Sequence, residues 1–166
     1  MKMITLLFSC LFFIPVSNAN FGNDIAKMVF QKKVDQLYEQ AIKCDPLKRD
    51  QKSKMDVRDW IKIQPPLPAW QMFASIEETA EDARNYARSI GGRDKQMHCL
   101  AGCFIAKKLD YTSAVLVGWL KELSDASDCS NKTSFEKRDY ELTEIGAMAG
   151  SNNQECEFFC KKKKLK

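Results

Sequence analysis

The stretch Asp94-Lys95-Gln96-Met97-His98-Cys99-Leu100-Ala101-Gly102-Cys103-Phe104-Ile105 decides the fold. Cys99 and Cys103 stand four residues apart, and so do His98 and Gly102. Residues at that interval share one face of a helix. Gly91-Gly92 precedes the stretch as a stop for an earlier helix, and Asp94 is placed to cap the new one, which runs to about Leu109.

Helical spacing continues on both sides. Ser75-Ile76-Glu77-Glu78 has the pattern of a capping box, opening a helix that carries Ala80, Ala83, Tyr86 and Ala87. Another helix begins near Thr112 and continues to Asp125 or Ala126. Thr133-Ser134-Phe135-Glu136 reads as a second capping box, starting a helix to about Ala149, and a short last helix carries Cys156 and Cys160. Upstream, residues 21 to 44 form a long amphipathic pattern through Ile25, Val29, Lys33, Leu37 and Ala41, with Met28, Val34 and Tyr38 beside it. Asp45-Pro46 ends that pattern. Residues 46 to 59 are charged and read as a surface connection. The stiff Pro65-Pro66-Leu67-Pro68 lies between Trp60 and Trp70, whose expected role is to pack the linker onto the helical body. No alternation of period two persists and no repeat occurs. The expectation is an all-α, compact, disulfide-stapled bundle of about five to six helices.

Residues 1 to 19 have the form of a secretory signal peptide. Lys2 is the basic start, Ile4 to Ile14 the apolar run, and Ser17-Asn18-Ala19 a small-residue cleavage site. Cleavage after Ala19 leaves 147 residues, enough for one domain with a real core, and lowers the net charge from +4 to +3. The remainder divides into an amphipathic helix with its Pro-rich linker (20–68), a helical core (69–160) and a basic tail (161–166). No later segment reads as a membrane span. Lys161 to Lys164 and Lys166 form the tail, a solvated end able at most to touch an anionic surface weakly. Apart from the tail, no basic stripe interleaved with aromatics appears, which argues against nucleic acid. These features place the chain in the periplasm or outside the cell.

Six cysteines remain after cleavage: Cys44, Cys99, Cys103, Cys129, Cys156 and Cys160. An even number in an exported chain implies disulfides. Both C-x-x-x-C pairs lie on single helix faces, where a bridge within one pair fits poorly. Two antiparallel helices stapled face to face would use both pairs.

Polar residues fall into stripes on three of these helices. His98, the single histidine, aligns with Gly102 and Ile105. Gly118, Glu122 and Asp125 form a second stripe, and Asp139, Thr143, Gly146 and Gly150 a third. Small residues let backbones approach, and buried carboxylates must be paired, hydrogen-bonded or metal-bound. His98, Glu122, Asp125 and Asp139 are therefore the candidate catalytic residues or ligands of a divalent metal. Lys121 is a further candidate, although it points about 100° away from Glu122 around the helix. The same spacing also suits acids that face solvent and a structural histidine.

These residues resemble the YfiM-type family of bacterial envelope proteins, lipoproteins of unknown function. Its Asp-Lys-x-x-His start has counterparts in Asp94, Lys95 and His98, and its Gly-x-x-Lys-Glu-x-x-Asp in Gly118, Lys121, Glu122 and Asp125. Ser134, Phe135 and Asp139 follow, then Gly146, Ala147 and Gly150. The resemblance spans about residues 94 to 150, a third of the chain. It implies an envelope setting and a common polar site, but no reaction. This chain adds six cysteines and an N-terminal helix, and its Cys10 does not fit a lipidation site, so anchoring is not implied.

Three functions suit this pattern. One is an accessory or binding protein of the envelope, whose partner is an envelope protein or a cell-wall component. The second is a metal-dependent hydrolase of an envelope substrate, and the third a secreted effector-type domain. No Gly-x-Ser-x-Gly, His-Glu-x-x-His or phosphate-loop motif is present, which favours the first.

Overall fold

Helix propensity, caps and apolar spacing together account for the elements seen in a computed structural model of the chain. It describes residues 19–44, 49–50, 55–68, 75–130, 133 and 135–162. Residues 1 to 18 of the expected signal peptide, Trp70, Ser134 and the lysines from 163 onward lie outside these. Helix α1 runs Ala19–Cys44, followed by a two-residue antiparallel pairing of β1 (Arg49–Asp50) with β2 (Met55–Asp56). The remaining helices are α2 (Val57–Lys62), α3 (Ile76–Ser89), α4 (Asp94–Lys108), α5 (Tyr111–Ser127), α6 (Lys137–Ser151) and α7 (Cys156–Lys162). The fold is helical and disulfide-stapled, with seven helices among the described residues. The helix beyond the expected count is α2, which begins inside the stretch read as a charged connection. Asp56 caps it by accepting from the Arg58 N–H at 2.7 Å.

One core cluster joins α1, α2 and α5. Phe30, Val34, Leu37 and Ala41 of α1 meet Trp60, Leu116, Trp119, Leu120 and Leu123. The buried face of α1 is Ala26, Phe30, Val34, Leu37 and Ala41, whereas Met28 is 66% exposed and Ile25 and Val29 are half-buried. The expected line through Ile25, Val29 and Lys33 advances by four residues at every step. Each such step overshoots a turn by about 40°, so the line drifts off the seam. The observed spacing includes one step of three and stays on it.

Trp60 is fully buried, as the packing role for the linker required. Its Nε1–H donates to the Trp119 carbonyl at 3.4 Å, and Trp119 Nε1–H donates to the Trp60 carbonyl at 3.1 Å. Phe135 and Tyr140 stand edge-on to the Trp60 ring, with centroids 5.1 Å away.

Helices α4 and α6 approach at their glycines. A Cβ on Gly102 would overlap the Thr143 backbone, and one on Gly146 or Gly150 would overlap the carbonyl of Cys99 or Cys103. Alongside this pair, α7 is stapled to α4 by Cys99–Cys160 and Cys103–Cys156, with Cα separations of 5.8 and 5.7 Å. The first cysteine of one helix pairs with the last of the other, which is the antiparallel arrangement expected. Cys44–Cys129 ties the end of α1 to the loop after α5.

Two starts differ from the expected capping boxes. At Ser75 no side-chain cap forms. Helix α6 begins at Lys137, with Glu136 at the cap position. The Thr133 hydroxyl is engaged elsewhere, donating to Asp128 at 2.6 Å, and Glu136 is drawn into the polar site described next. Asp94 is the first residue of α4 rather than its cap; Gln96 instead accepts from the Arg93 N–H at 3.0 Å.

Candidate functional site

The first turn of α4 carries Asp94, Lys95 and His98, and the start of α6 carries Glu136 and Asp139. The glycine contacts bring these two ends together. Lys95 Nζ bonds Asp139 Oδ1, lies 2.6 Å from Glu136 Oε2, and reaches Asp94 Oδ2 at 3.4 Å. One ammonium is thus shared by three carboxylates. His98 Nε2 faces the other oxygens of two of them, Asp139 Oδ2 at 3.4 Å and Asp94 Oδ1 at 3.9 Å.

A second group sits on α5. Glu122, 1% exposed, accepts from the Glu136 backbone N–H at 2.9 Å and lies 3.2 Å from Lys121 Nζ. The same ammonium holds Asp125 at 2.8 Å. Glu136 links the two groups, since its N–H serves Glu122 and its carboxylate serves Lys95.

Burial governs the protonation of these side chains. It pushes the Glu122 carboxyl up to about 8, against the pull of Lys121 and the Glu136 N–H. It raises Asp125 as well, again opposed by Lys121. Burial lowers His98 below the ordinary histidine value despite the nearby Asp139 carboxylate. Burial alone would also lower both lysines. Bonds to Asp139 and Glu136 reverse this for Lys95, as do Glu122 and Asp125 for Lys121, and both stand above the ordinary value.

A cavity of about 480 Å³ opens between α3, α4 and α5 beside this network. Its walls include Ala80, Ala87, Ala101, Ile105 and Val117, and its polar lining includes Arg84, Asp94, His98 and Lys121.

The structure therefore brings His98 and Asp139 together, and sets Glu122 and Asp125 around Lys121. Among the described residues, the set whose ligand atoms converge within 4.8 Å is Asp94, His98 and Asp139. Lys121, doubtful on rotation alone, reaches both neighbouring acids because its long stem bends across the helix surface. The anchoring roles of Lys95, Asp94 and Glu136 were not assigned from sequence. Their signal was present as helical spacing: Asp94 and Lys95 lie four and three residues before His98, and Glu136 three before Asp139. What linear spacing lacks is the contact between helices 41 residues apart.

No protein-family model matches the chain, and neither does any curated protein or solved structure.

Proposed function

We propose that the chain is an exported, disulfide-stabilised accessory or binding protein of the bacterial envelope, and that the cavity between α3, α4 and α5 receives its partner. The observation that carries this reading is the cavity itself. It has alanine and aliphatic walls with charged groups beside them, the composition of a recognition site. Three disulfides support an oxidising compartment, and among the described residues no helix is long and apolar enough to cross a membrane. The signal-peptide pattern and the resemblance to YfiM-type proteins point to the same setting. In this reading Lys95 and Lys121 hold the acidic residues in place, and the cluster fixes how α4, α5 and α6 meet.

The test is site-specific photo-crosslinking in bacterial cells that export the chain. A photoreactive residue replaces Ala80 in the cavity wall or Lys27 on the exposed face of α1. The expected result is a discrete adduct with an envelope component from position 80, lost when Ala101→Trp fills the cavity. Adducts only from position 27, or retention of the chain in the reduced cytoplasm, would refute the proposal.

A further inference from the structure

The contacts of His98 carry a consequence beyond partner binding. Its Nε2 faces two carboxylate oxygens on different helices, Asp139 Oδ2 at 3.4 Å and Asp94 Oδ1 at 3.9 Å. An imidazole nitrogen has at most one proton to offer, so it cannot serve both oxygens. Both distances exceed the usual N–H···O range of about 2.7–3.2 Å. Lys95 does not fill the gap, because it takes the opposite oxygens, Asp139 Oδ1 and Asp94 Oδ2.

We infer that Asp94 Oδ1, His98 Nε2 and Asp139 Oδ2 form a binding site for a divalent transition-metal cation, with Zn²⁺ the best match. Zinc bonds to nitrogen and oxygen of about 2.0–2.2 Å place the ligand atoms of a tetrahedral site about 3.3–3.6 Å apart. The His98–Asp139 separation already has this value. Asp94, whose side chain is 67% exposed, closes the remaining gap by a rotamer adjustment. One imidazole with two carboxylates suits zinc better than the hard cations that prefer oxygen alone. Asp94 and His98 both line the 480 Å³ cavity, which gives an ion a route to the site. Lys95, on the opposite oxygens of Asp139 and Asp94, stays outside the ligand set and orients both carboxylates, as such partners do in metal sites. The site stands on these three atoms and needs no knowledge of what else enters the cavity.

The experiment is competition titration of Zn²⁺ into the full-length, disulfide-bonded protein, with Co²⁺ absorption as a spectroscopic check. The expected result is one Zn²⁺ per chain with micromolar or tighter affinity. Asp94→Asn should weaken binding by at least about tenfold and His98→Gln by more. Asp94 is exposed, so its variant folds even if Asp139→Asn, which releases Lys95, does not. Glu122→Gln and Asp125→Asn should keep the metal. Absence of stoichiometric binding in the folded wild type overturns the inference. So does binding that survives Asp94→Asn, or that is lost in Glu122→Gln with Asp94→Asn unaffected. None of these outcomes bears on the crosslinking result, so the two proposals fail separately.

Discussion

Glu122 is the residue where burial and charge are most evenly opposed. The Lys121 ammonium and the Glu136 N–H favour its ionised form, yet a site 1% exposed raises its pKa from 4.5 to about 8. The folded chain then holds a proton on Glu122 that the unfolded chain has released. Stability must fall as pH rises from about 4.5 to about 8, the reverse of the usual salt-bridged carboxylate. A tenfold change in proton affinity is worth about 1.4 kcal/mol, so the loss is on the order of a few kcal/mol. Asp125 is raised in the same sense. Glu122→Gln mimics the neutral form, so its melting temperature should change less between about pH 5 and pH 8.5 than that of the wild type. Parallel profiles for the two proteins would show that Glu122 ionises in the fold at its ordinary pH.

At the scale of elements, the pairing of α4 with α6 rests on glycines. Alanine at Gly146 has a better helix propensity by about 1 kcal/mol, but its Cβ would overlap the Cys99 carbonyl, a backbone atom with no rotamer to yield. Separating the helices also disturbs the contact of Lys95 with Asp139. Gly146→Ala should therefore lose about 2 kcal/mol or more, or roughly 5 °C in melting temperature. Gly91→Ala is the comparison. It has φ +70° and nothing within 4 Å, so it should cost only the left-handed backbone strain of about 1 kcal/mol. Similar small losses at both positions would contradict the close approach. The glycine stripes were legible in the sequence because helical period alone puts Gly102 on the His98 face, and Gly146 and Gly150 on the Asp139 face. The start of α6 was not legible, because Glu136 is committed to Lys95 and Glu122 on other helices, and capping rules see only neighbouring residues. For the same reason α2 was hidden. Its charged residues mask Trp60, whose indole and carbonyl exchange hydrogen bonds with Trp119, 59 residues away.

For the whole molecule, the three disulfides are unequal in what they constrain. Cys44–Cys129 closes a loop with a sequence separation of 85, and no other bridge shortens that path appreciably. Loop entropy assigns it about 4–5 kcal/mol of stabilisation. Cys99–Cys160 and Cys103–Cys156 span 61 and 53 residues, values that alone imply nearly as much. They join the same two helices, however, one turn apart on each. Once either has formed, the other closes a ring of about ten residues and adds only about 2.7 kcal/mol. Alanine replacement of Cys44 and Cys129 should therefore lower the unfolding free energy more than replacement of either other pair, as read by chemical denaturation. Removing both α4–α7 bridges should cost more than twice the loss from one, because the second removal releases the long loop. If all three single losses are equal, and the double loss is their sum, α4 and α7 are not held as one redundantly stapled unit. The expected order follows from placing the antiparallel cysteine pairs on a single helix interface, with α1 tied to the rest by its own covalent link.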